Sequence, residues 1–206
     1  MSTPDLLDVV PVLPVVVLHR LEDAVPVARA LVAGGLPAIE LTLRTPVALD
    51  AVAAIAAEVP EIRVGAGTVV TPGQAKEAAD AGARFLVSPG ATPSLLAAMD
   101  ETGLPFLPGV ATVSEALAAL EAGCTSLKFF PAEASGGAAF LASVAAPVPA
   151  VRFCPTGGIT PTNAASYLAL PNVGCVGGSW LTPGDLVAAR DWDGVADLAR
   201  EAAALR

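Results

Sequence analysis

The sequence predicts an α/β fold: a single (β/α)8 barrel of the TIM-barrel type, with a short helix at its amino terminus. Apolar segments of strand length alternate with Ala-rich helical segments, and the connections between them are short. Strands that alternate with helices in this way run parallel, and eight such units close into a barrel. At about 25 residues per unit we expect one domain over residues 1–206, without large insertions. A doubly wound open sheet is the alternative, but it usually contains fewer strands.

The predicted elements share recurring start and stop signals. After a short helical segment over residues 4–9, the predicted strands cover residues 12–18, 38–43, 62–69, 84–88, 105–110, the stretch 127–131, 151–156 and 173–178. Predicted helices cover residues 22–33, 46–58 and 114–122, and others begin near residues 72 and 93. Proline fits the first helical turn, where its missing N–H is harmless, and glycine fits the position after the last turn.

Composition and charge restrict the class of protein. With 54% hydrophobic residues the chain can bury a full core, yet its longest apolar run, residues 9–18, contains two prolines and is too short to span a membrane. The net charge of −9 argues against nucleic acid or an anionic membrane as a partner. Asp5 and Asp8 stand where a secretory signal would be positive, and the three cysteines lack metal-type spacing. We therefore expect a cytoplasmic protein.

One of the two lysines, Lys128, lies in the apolar stretch of residues 127–131 (LKFFP). The aromatic residues and the closing proline predict a buried strand. Side-chain alternation places Lys128 on the opposite face from Leu127 and Phe129. A buried ammonium is costly unless it is paired or neutral, and a neutral amine is a nucleophile toward carbonyl carbon. Lys128 therefore forms either a structural ion pair or a covalent intermediate.

Polar residues collect at the predicted carboxyl ends of the strands, where barrel enzymes place their active sites. On the second strand Glu40, Thr42 and Arg44 share one face. Glu40 and Arg44 fit either an ion pair inside the barrel or a site for chemistry. Thr68 and Ser88, at the ends of the third and fourth strands, fit either site residues or caps of the next helices.

Paired glycines follow the last two strands, in residues 155–159 (PTGGI) and 177–180 (GGSW). In many barrels the loops after strands seven and eight bind phosphate through backbone N–H groups and a helix amino terminus. Glycine lets a phosphate approach the backbone closely, although paired glycines also form tight turns. The sequence thus predicts a phosphate site at this end of the barrel.

Six motifs, spread in order over nearly the whole chain, resemble those of one family, the pyruvate-type class I aldolases. These enzymes cleave 2-keto-3-deoxy-6-phosphogluconate (KDPG) and 2-keto-4-hydroxyglutarate (KHG). The resemblance rests on residues 40–45 (ELTLRT), 65–69 (GAGTV), 88–90 (SPG), 127–133 (LKFFPAE), 155–159 (PTGGI) and 177–181 (GGSWL).

The resemblance implies a role for each site residue. It implies that Lys128 forms the Schiff base, that Glu40 is the general acid/base, and that Arg44 and Thr68 hold the pyruvyl carboxylate. The remaining residues implied to contact the substrate are Pro89, Phe130 and Thr156, which line the pocket, and Gly157, Gly158, Gly178 and Ser179, which hold the phosphate. The resemblance further implies an enzyme without metal or other cofactor that assembles as a homotrimer.

The implied chemistry needs a neutral Lys128. An ionised Glu40 taken to lie ~7 Å away would favour the ammonium by about 2.4 kcal/mol at an effective dielectric of ~20, and a similarly placed Arg44 would cancel this. Desolvation by the apolar neighbours is then the main driver. The alternative is a phosphosugar isomerase or epimerase on the same barrel, in which Lys128 acts only electrostatically. The sequence does not fix the preferred stereochemistry at C4.

Overall fold

The computed structural model describes residues 5–205. Its strands are short: β1 Val12–Val16, β2 Ala38–Thr42, β3 Arg63–Gly67, β4 Leu86–Val87, β5 Phe106–Leu107, β6 Gly109–Val110, β7 Ser126–Phe129, β8 Arg152–Pro155 and β9 Val176–Gly178. The α-helices are α1 Ala24–Ala33, α2 Ala48–Glu58, α3 Pro72–Asp80, α4 Pro93–Glu101, α5 Val113–Glu121, α6 Gly137–Val144, α7 Ala164–Leu168, α8 Gly184–Ala189 and α9 Trp192–Ala203. Single 3₁₀ turns cover Leu6–Asp8, Leu21–Asp23 and Glu133–Ser135.

The strands pair in parallel, which confirms an α/β fold with a parallel sheet. They form a six-stranded sheet in the order β5-β4-β3-β2-β1-β9 and a three-stranded sheet in the order β6-β7-β8. The predicted fifth strand, residues 105–110, is divided into β5 and β6 because Pro108 has no N–H for the ladder, although its carbonyl accepts from the Lys128 N–H at 2.9 Å. The two sheets meet again between β8 and the β9 region, where isolated parallel bridges join Phe153 to Val173 and Thr156 to Gly177.

The amino-terminal segment closes the end of the molecule opposite the carboxyl ends of the strands. Pro4, where the helical segment is predicted to start, lies outside the described residues, and the helix observed is the single 3₁₀ turn Leu6–Asp8. Arg152 of β8 contacts Asp8 at 2.6 Å, and Ser126 of β7 donates to Asp5 at 2.8 Å. These contacts hold residues 5–8 against the three-stranded sheet.

Most helix signals act where the sequence places them. Pro72 and Pro93 occupy the first turns of α3 and α4, whereas Pro46 precedes α2, which begins at Ala48. A glycine with positive φ follows the last turn of four helices: Gly35, Gly82, Gly103 and Gly123. The 22–33 helix is correct in extent but begins with the 3₁₀ turn Leu21–Asp23.

The alternation predicted for the lysine strand is present in β7. The Phe129 ring stacks on Phe140 of α6, with 4.9 Å between ring centroids, and meets the Phe153 ring edge to face at 6.4 Å. Leu127 and Phe129 are fully buried in this apolar layer beneath the helices. Lys128 consequently points to the opposite face of the strand, toward the interior.

Candidate active site

Lys128 and Glu40 meet in the interior of the molecule. The Lys128 Nζ donates to Glu40 Oε1 at 3.1 Å, and the two side chains are only 3% and 1% exposed. Lys128 lies on β7 and Glu40 on β2, which belong to different sheets, so the contact crosses the space between them. The geometry fits an ion pair and also a direct proton transfer between amine and carboxylate.

Gly67 on β3 makes room for the Glu40 carboxyl group. A Cβ at Gly67 would lie 2.2 Å from Glu40 Oε1 and 2.5 Å from its Cγ, a separation that atoms do not adopt. Glu40 therefore reaches Lys128 only because the neighbouring strand carries no side chain at that point. Gly67 belongs to the GAGTV motif, yet its contribution is missed by a search for polar residues.

An aromatic ring lies against the Lys128 amine, and small residues flank the strand next to it. The Phe130 ring centroid lies 5.3 Å from Nζ, within the range of a cation–π contact. On the neighbouring strand, Gly109 pairs with Lys128, and a Cβ at Gly109 would lie 2.2 Å from the Pro89 carbonyl carbon. Ser88 Oγ accepts from the Gly109 N–H at 3.3 Å. Phe130 thus lies at the Lys128 amine, and Pro89 lies beside Gly109, the strand partner of Lys128.

Arg44 and Thr68 are also brought together. Arg44 Nε donates to Thr68 Oγ1 at 3.0 Å, and Arg44 has no ion-pair partner within residues 5–205. Thr68 adopts a φ of 59°, a left-handed conformation that is rare for a β-branched residue and costs about 1–3 kcal/mol. Strain of this kind is typical of residues that hold a ligand. An exposed guanidinium beside a held hydroxyl is suited to binding a carboxylate.

The helix-cap interpretation of Thr68 and Ser88 is wrong. The N-cap of α3 is Thr71, whose side chain accepts from the Gln74 N–H, and the N-cap of α4 is Thr92, which accepts from the Leu95 N–H. Both caps lie three or four residues beyond the predicted ones. Thr68 and Ser88 are therefore left for roles at the carboxyl ends of their strands.

The two glycine pairs lie side by side at the junction of the sheets. The bridge between Thr156 and Gly177 aligns the loop after β8 with the end of β9. Gly157 and Gly158 have φ values of 100° and 80°, which favour glycine. Gly178 also makes room for the Trp180 ring, which the motif does not reveal: a Cβ there would lie 2.1 Å from that ring. Ser179 follows it and is exposed.

Several residues of this region are missed by the sequence analysis. The Tyr167 hydroxyl of α7 donates to Glu133 Oε1, and Asn163 Nδ2 donates to the Gly158 carbonyl at 3.0 Å. Glu133 is part of the LKFFPAE motif, but its partner lies 34 residues away. His19 and Lys76 are exposed.

Two general features complete the description of residues 5–205. No group of three or more His, Cys, Asp or Glu side chains is placed to hold a metal ion there. In the same range the helices are all too short or too polar for a membrane-spanning segment.

Comparison with known proteins gives matches over nearly the full chain. The family model described as KDPG and KHG aldolase matches residues 4–198. A KHG/KDPG aldolase from Escherichia coli (strain K12) is 53% identical over 201 residues, covering 98% of this chain and 94% of that protein.

Solved structures agree with the sequence match. The KDPG aldolase of Legionella pneumophila, with pyruvate captured as a covalent carbinolamine intermediate, gives a TM-score of 0.94 at 46% identity and covers 96% of both chains. The 2-keto-3-deoxy-6-phosphogluconate aldolase of Zymomonas mobilis with 3-phosphoglycerate gives a TM-score of 0.91 at 46% identity, covering 97% of this chain and 94% of that one. These matches confirm the resemblance drawn from the motifs, and the chain belongs to the KDPG and KHG aldolase family.

Proposed function

We propose that this protein is a class I aldolase that reversibly cleaves KDPG to pyruvate and glyceraldehyde 3-phosphate, and KHG to pyruvate and glyoxylate. The observation that supports the proposal best is the buried contact of 3.1 Å between Lys128 Nζ and Glu40 Oε1. It supplies a nucleophilic amine and an adjacent proton carrier in one desolvated place. Membership of the family adds the substrate class.

The first step forms the covalent intermediate. A proton passes from the Lys128 ammonium to Glu40 across their contact, and the neutral amine adds to the C2 carbonyl of the substrate. The resulting carbinolamine loses its hydroxyl as water, with Glu40 returning the proton, and an iminium forms at C2.

The second step breaks the C3–C4 bond. Glu40 accepts the proton of the C4 hydroxyl, the C4–O bond becomes a carbonyl, and the electrons of the C3–C4 bond pass into the iminium. The aldehyde departs and leaves the enamine of pyruvate on Lys128. Protonation at C3 by Glu40 and attack by water at C2 then release pyruvate and restore the amine.

Substrate binding is assigned to residues around this pair. Arg44 and Thr68, joined at 3.0 Å, hold the pyruvyl carboxylate, where the guanidinium offers charge-assisted hydrogen bonds. The pocket wall is formed by Pro89, Phe130 and Thr156, and the phosphate is held by Gly157, Gly158, Gly178 and Ser179. The adjacency of the two glycine loops supports this assignment.

We extend the proposal to the architecture and assembly. The contact between β2 and β7 across the interior, together with the bridges from β8 to the β9 region, supports one closed (β/α)8 barrel domain over residues 1–206. The protein is proposed to be a cytoplasmic homotrimer that requires no metal or other cofactor. Family membership supports these assignments, and the net charge of −9 argues against binding to an anionic membrane.

The decisive experiment traps the intermediate. The protein is incubated with pyruvate and sodium borohydride, which reduces an iminium to a stable secondary amine, and the labelled peptide is identified by mass. Only Lys76, Lys128 and the amino terminus are available, and Lys76 is exposed. We expect nearly stoichiometric label on Lys128 with parallel loss of activity.

Two lysine variants complete this test. Lys128→Arg should lose both label and activity, because a guanidinium stays charged and cannot form the imine. Lys76→Arg, the matched control, should retain both. Cleavage of KDPG without label on Lys128 would refute the class I mechanism, and phosphosugar isomerisation without a trapped adduct would favour the isomerase alternative.

A further inference from the structure

Three consecutive carbonyl groups of the loop after β8 are held by hydrogen bonds. The pairs are Ala132 N–H to Thr156 O at 2.8 Å, Glu133 N–H to Gly157 O at 3.1 Å, and Asn163 Nδ2 to Gly158 O at 3.0 Å. In a trans peptide the N–H points away from the C=O of the same unit. Fixing these carbonyls therefore fixes the directions of the following N–H groups.

The N–H groups of Gly158 and Ile159 are available to a ligand. Neither donates to an acceptor within residues 5–205. Gly157 and Gly158 both have positive φ, and successive N–H groups in such a turn form a concave surface that binds anions. Ile159, which the motif analysis does not assign to the phosphate, thus contributes a donor beside Gly158.

The groups that hold the loop are themselves fixed. Tyr167 is 1% exposed as a residue, and its hydroxyl donates to Glu133 Oε1. Burial and this hydrogen bond raise the pKa of Tyr167 well above its ordinary value, so the hydroxyl remains a donor at working pH. Asn163 Oδ1 accepts from the Thr160 N–H at 2.8 Å, which orients its amide toward Gly158.

Glu133 also packs against the loop that it holds. A Cβ at Gly158 would lie 2.5 Å from Glu133 Cγ, so the backbone of Gly158 rests directly on this side chain. Glu133 follows Lys128 in the same short segment and is therefore a connection between the lysine strand and the glycine loop. This connection fixes the distance between the site of the covalent bond and the phosphate site.

We infer that Glu133, Tyr167 and Asn163 are positioning residues that aim the N–H groups of Gly158 and Ile159 at the terminal phosphate of the substrate. They thereby select for phosphorylated substrates of fixed length. This inference rests on the proposed function. It predicts a loss confined to the phosphorylated substrate, whereas a purely structural role would weaken every activity and lower the thermal stability in proportion.

The test uses variants that remove one hydrogen bond each. Tyr167→Phe removes the hydroxyl that holds Glu133, and Asn163→Asp replaces the donor to Gly158 O by an acceptor of the same shape. We expect each to raise KM for KDPG roughly tenfold, the size of one lost hydrogen bond to a charged ligand, with kcat nearly unchanged. The pyruvate concentration that gives half-maximal borohydride labelling of Lys128 should change by less than about twofold.

Two further variants separate positioning from packing. Glu133→Gln keeps an acceptor for Tyr167 and should retain a KM near that of the wild type, whereas Glu133→Ala should show the tenfold increase. Thr162→Ala, at an exposed position of the same loop, is the matched control and should change neither quantity.

The outcomes are distinct. Equal losses for KDPG and for pyruvate labelling, or an unchanged KM for KDPG, would overturn the positioning inference even if the wild type cleaves KDPG. If the wild type itself is not labelled on Lys128 by pyruvate, the proposed function fails instead.

Discussion

At the scale of single residues, the contact between Lys128 and Glu40 decides what the interior can do. Moving two charges out of water costs several kcal/mol for each ion, which a single contact only partly offsets. Transfer of the proton from the amine to the carboxylate removes both charges at once. Because the two side chains are in contact and only 3% and 1% exposed, the amine can act as a nucleophile while the carboxyl group carries its proton.

Glu40→Gln should abolish turnover while retaining the fold. The amide keeps the shape and a hydrogen-bonding oxygen near Lys128 but cannot carry a proton, so kcat for KDPG cleavage should fall by ~10² to 10⁴. Steady-state kinetics measures the loss, and circular dichroism verifies the fold. Asp50→Asn, at an exposed carboxylate on the following helix, should leave kcat unchanged. Near-normal turnover of Glu40→Gln would assign proton transfer to another group.

Gly67→Ala tests whether the space beside Glu40 matters. The added methyl group would lie 2.2 Å from Glu40 Oε1, so the carboxyl group must move away from Lys128. We expect kcat to fall by about tenfold or more and labelling of Lys128 by pyruvate to slow, because proton transfer depends on contact. Gly73→Ala, whose added Cβ meets only Thr71 Oγ1 at 4.0 Å, is the control. Equal kinetics for the two variants would contradict this reading.

The sequence predicts which side chains face one another but not how far apart they lie. Strand alternation correctly places Lys128 opposite Leu127 and Phe129. The separation of ~7 Å assumed for the electrostatic argument is too long, since the observed contact is 3.1 Å. The difference arises from Gly67, whose missing side chain admits the carboxyl group, and such a contact between strands is not visible in a local pattern.

At the scale of elements, the strands are shorter than their apolar patterns. Residues 84–88 yield only the two-residue β4, and the pattern at 105–110 is interrupted at Pro108. Apolar residues continue beyond each ladder because they also pack under the helices, so burial extends further than pairing. The starts of α3 and α4 are predicted more accurately, because proline in the first turn acts through neighbours within four residues.

Two capping boxes within residues 5–205 allow a test of pH dependence. Glu115 caps α5 by accepting from the Ala111 and Thr112 N–H groups, whereas Gln74 does the same for α3 without charge. The Ala111 N–H lowers the pKa of Glu115. A lowered folded-state pKa means that the charge stabilises the fold above the unfolded-state pKa, and that this stabilisation is lost as pH falls through the folded-state pKa.

Glu115→Gln should therefore keep the box but lose its pH dependence. Near neutral pH the wild type should be more stable by a few tenths of a kcal/mol, and the two should converge as pH falls through the folded-state pKa of Glu115. Glu115→Ala, which loses the box, should cost about 1 kcal/mol at neutral pH. Urea unfolding at several pH values measures this. A constant difference between wild type and Glu115→Gln at all pH values would show that the charge on Glu115 does not contribute.

At the scale of the whole molecule, the sequence predicts the order of the parallel strands but not where their ladder is interrupted. The six-stranded and three-stranded sheets meet at Pro108 on one side and at Thr156 and Gly177 on the other. Both junctions carry residues proposed to contact the substrate or to support its pocket. The pattern of each strand is local, whereas a junction depends on how two distant strands approach each other, so a local pattern does not show where the ladder is interrupted.

The junction at Thr156 and Gly177 gives a prediction for the stability of the whole fold. A Cβ on Gly177 would lie 2.2 Å from Thr156 Oγ1 and 3.0 Å from its Cβ and Cγ2, so Gly177→Ala should force the two sheets apart. We expect it to lower the free energy of unfolding by about 1–3 kcal/mol, the usual cost of overpacking.

Thr156→Ala removes the oxygen and the methyl group that clash. The double variant should therefore be more stable than Gly177→Ala alone, with a coupling of at least ~0.5 kcal/mol in a double-mutant cycle. Gly184→Ala, with nothing within 4 Å of the added Cβ, is the control for a glycine substitution without a clash. If the losses in unfolding free energy of Gly177→Ala and Thr156→Ala are additive, the two sheets do not depend on this contact.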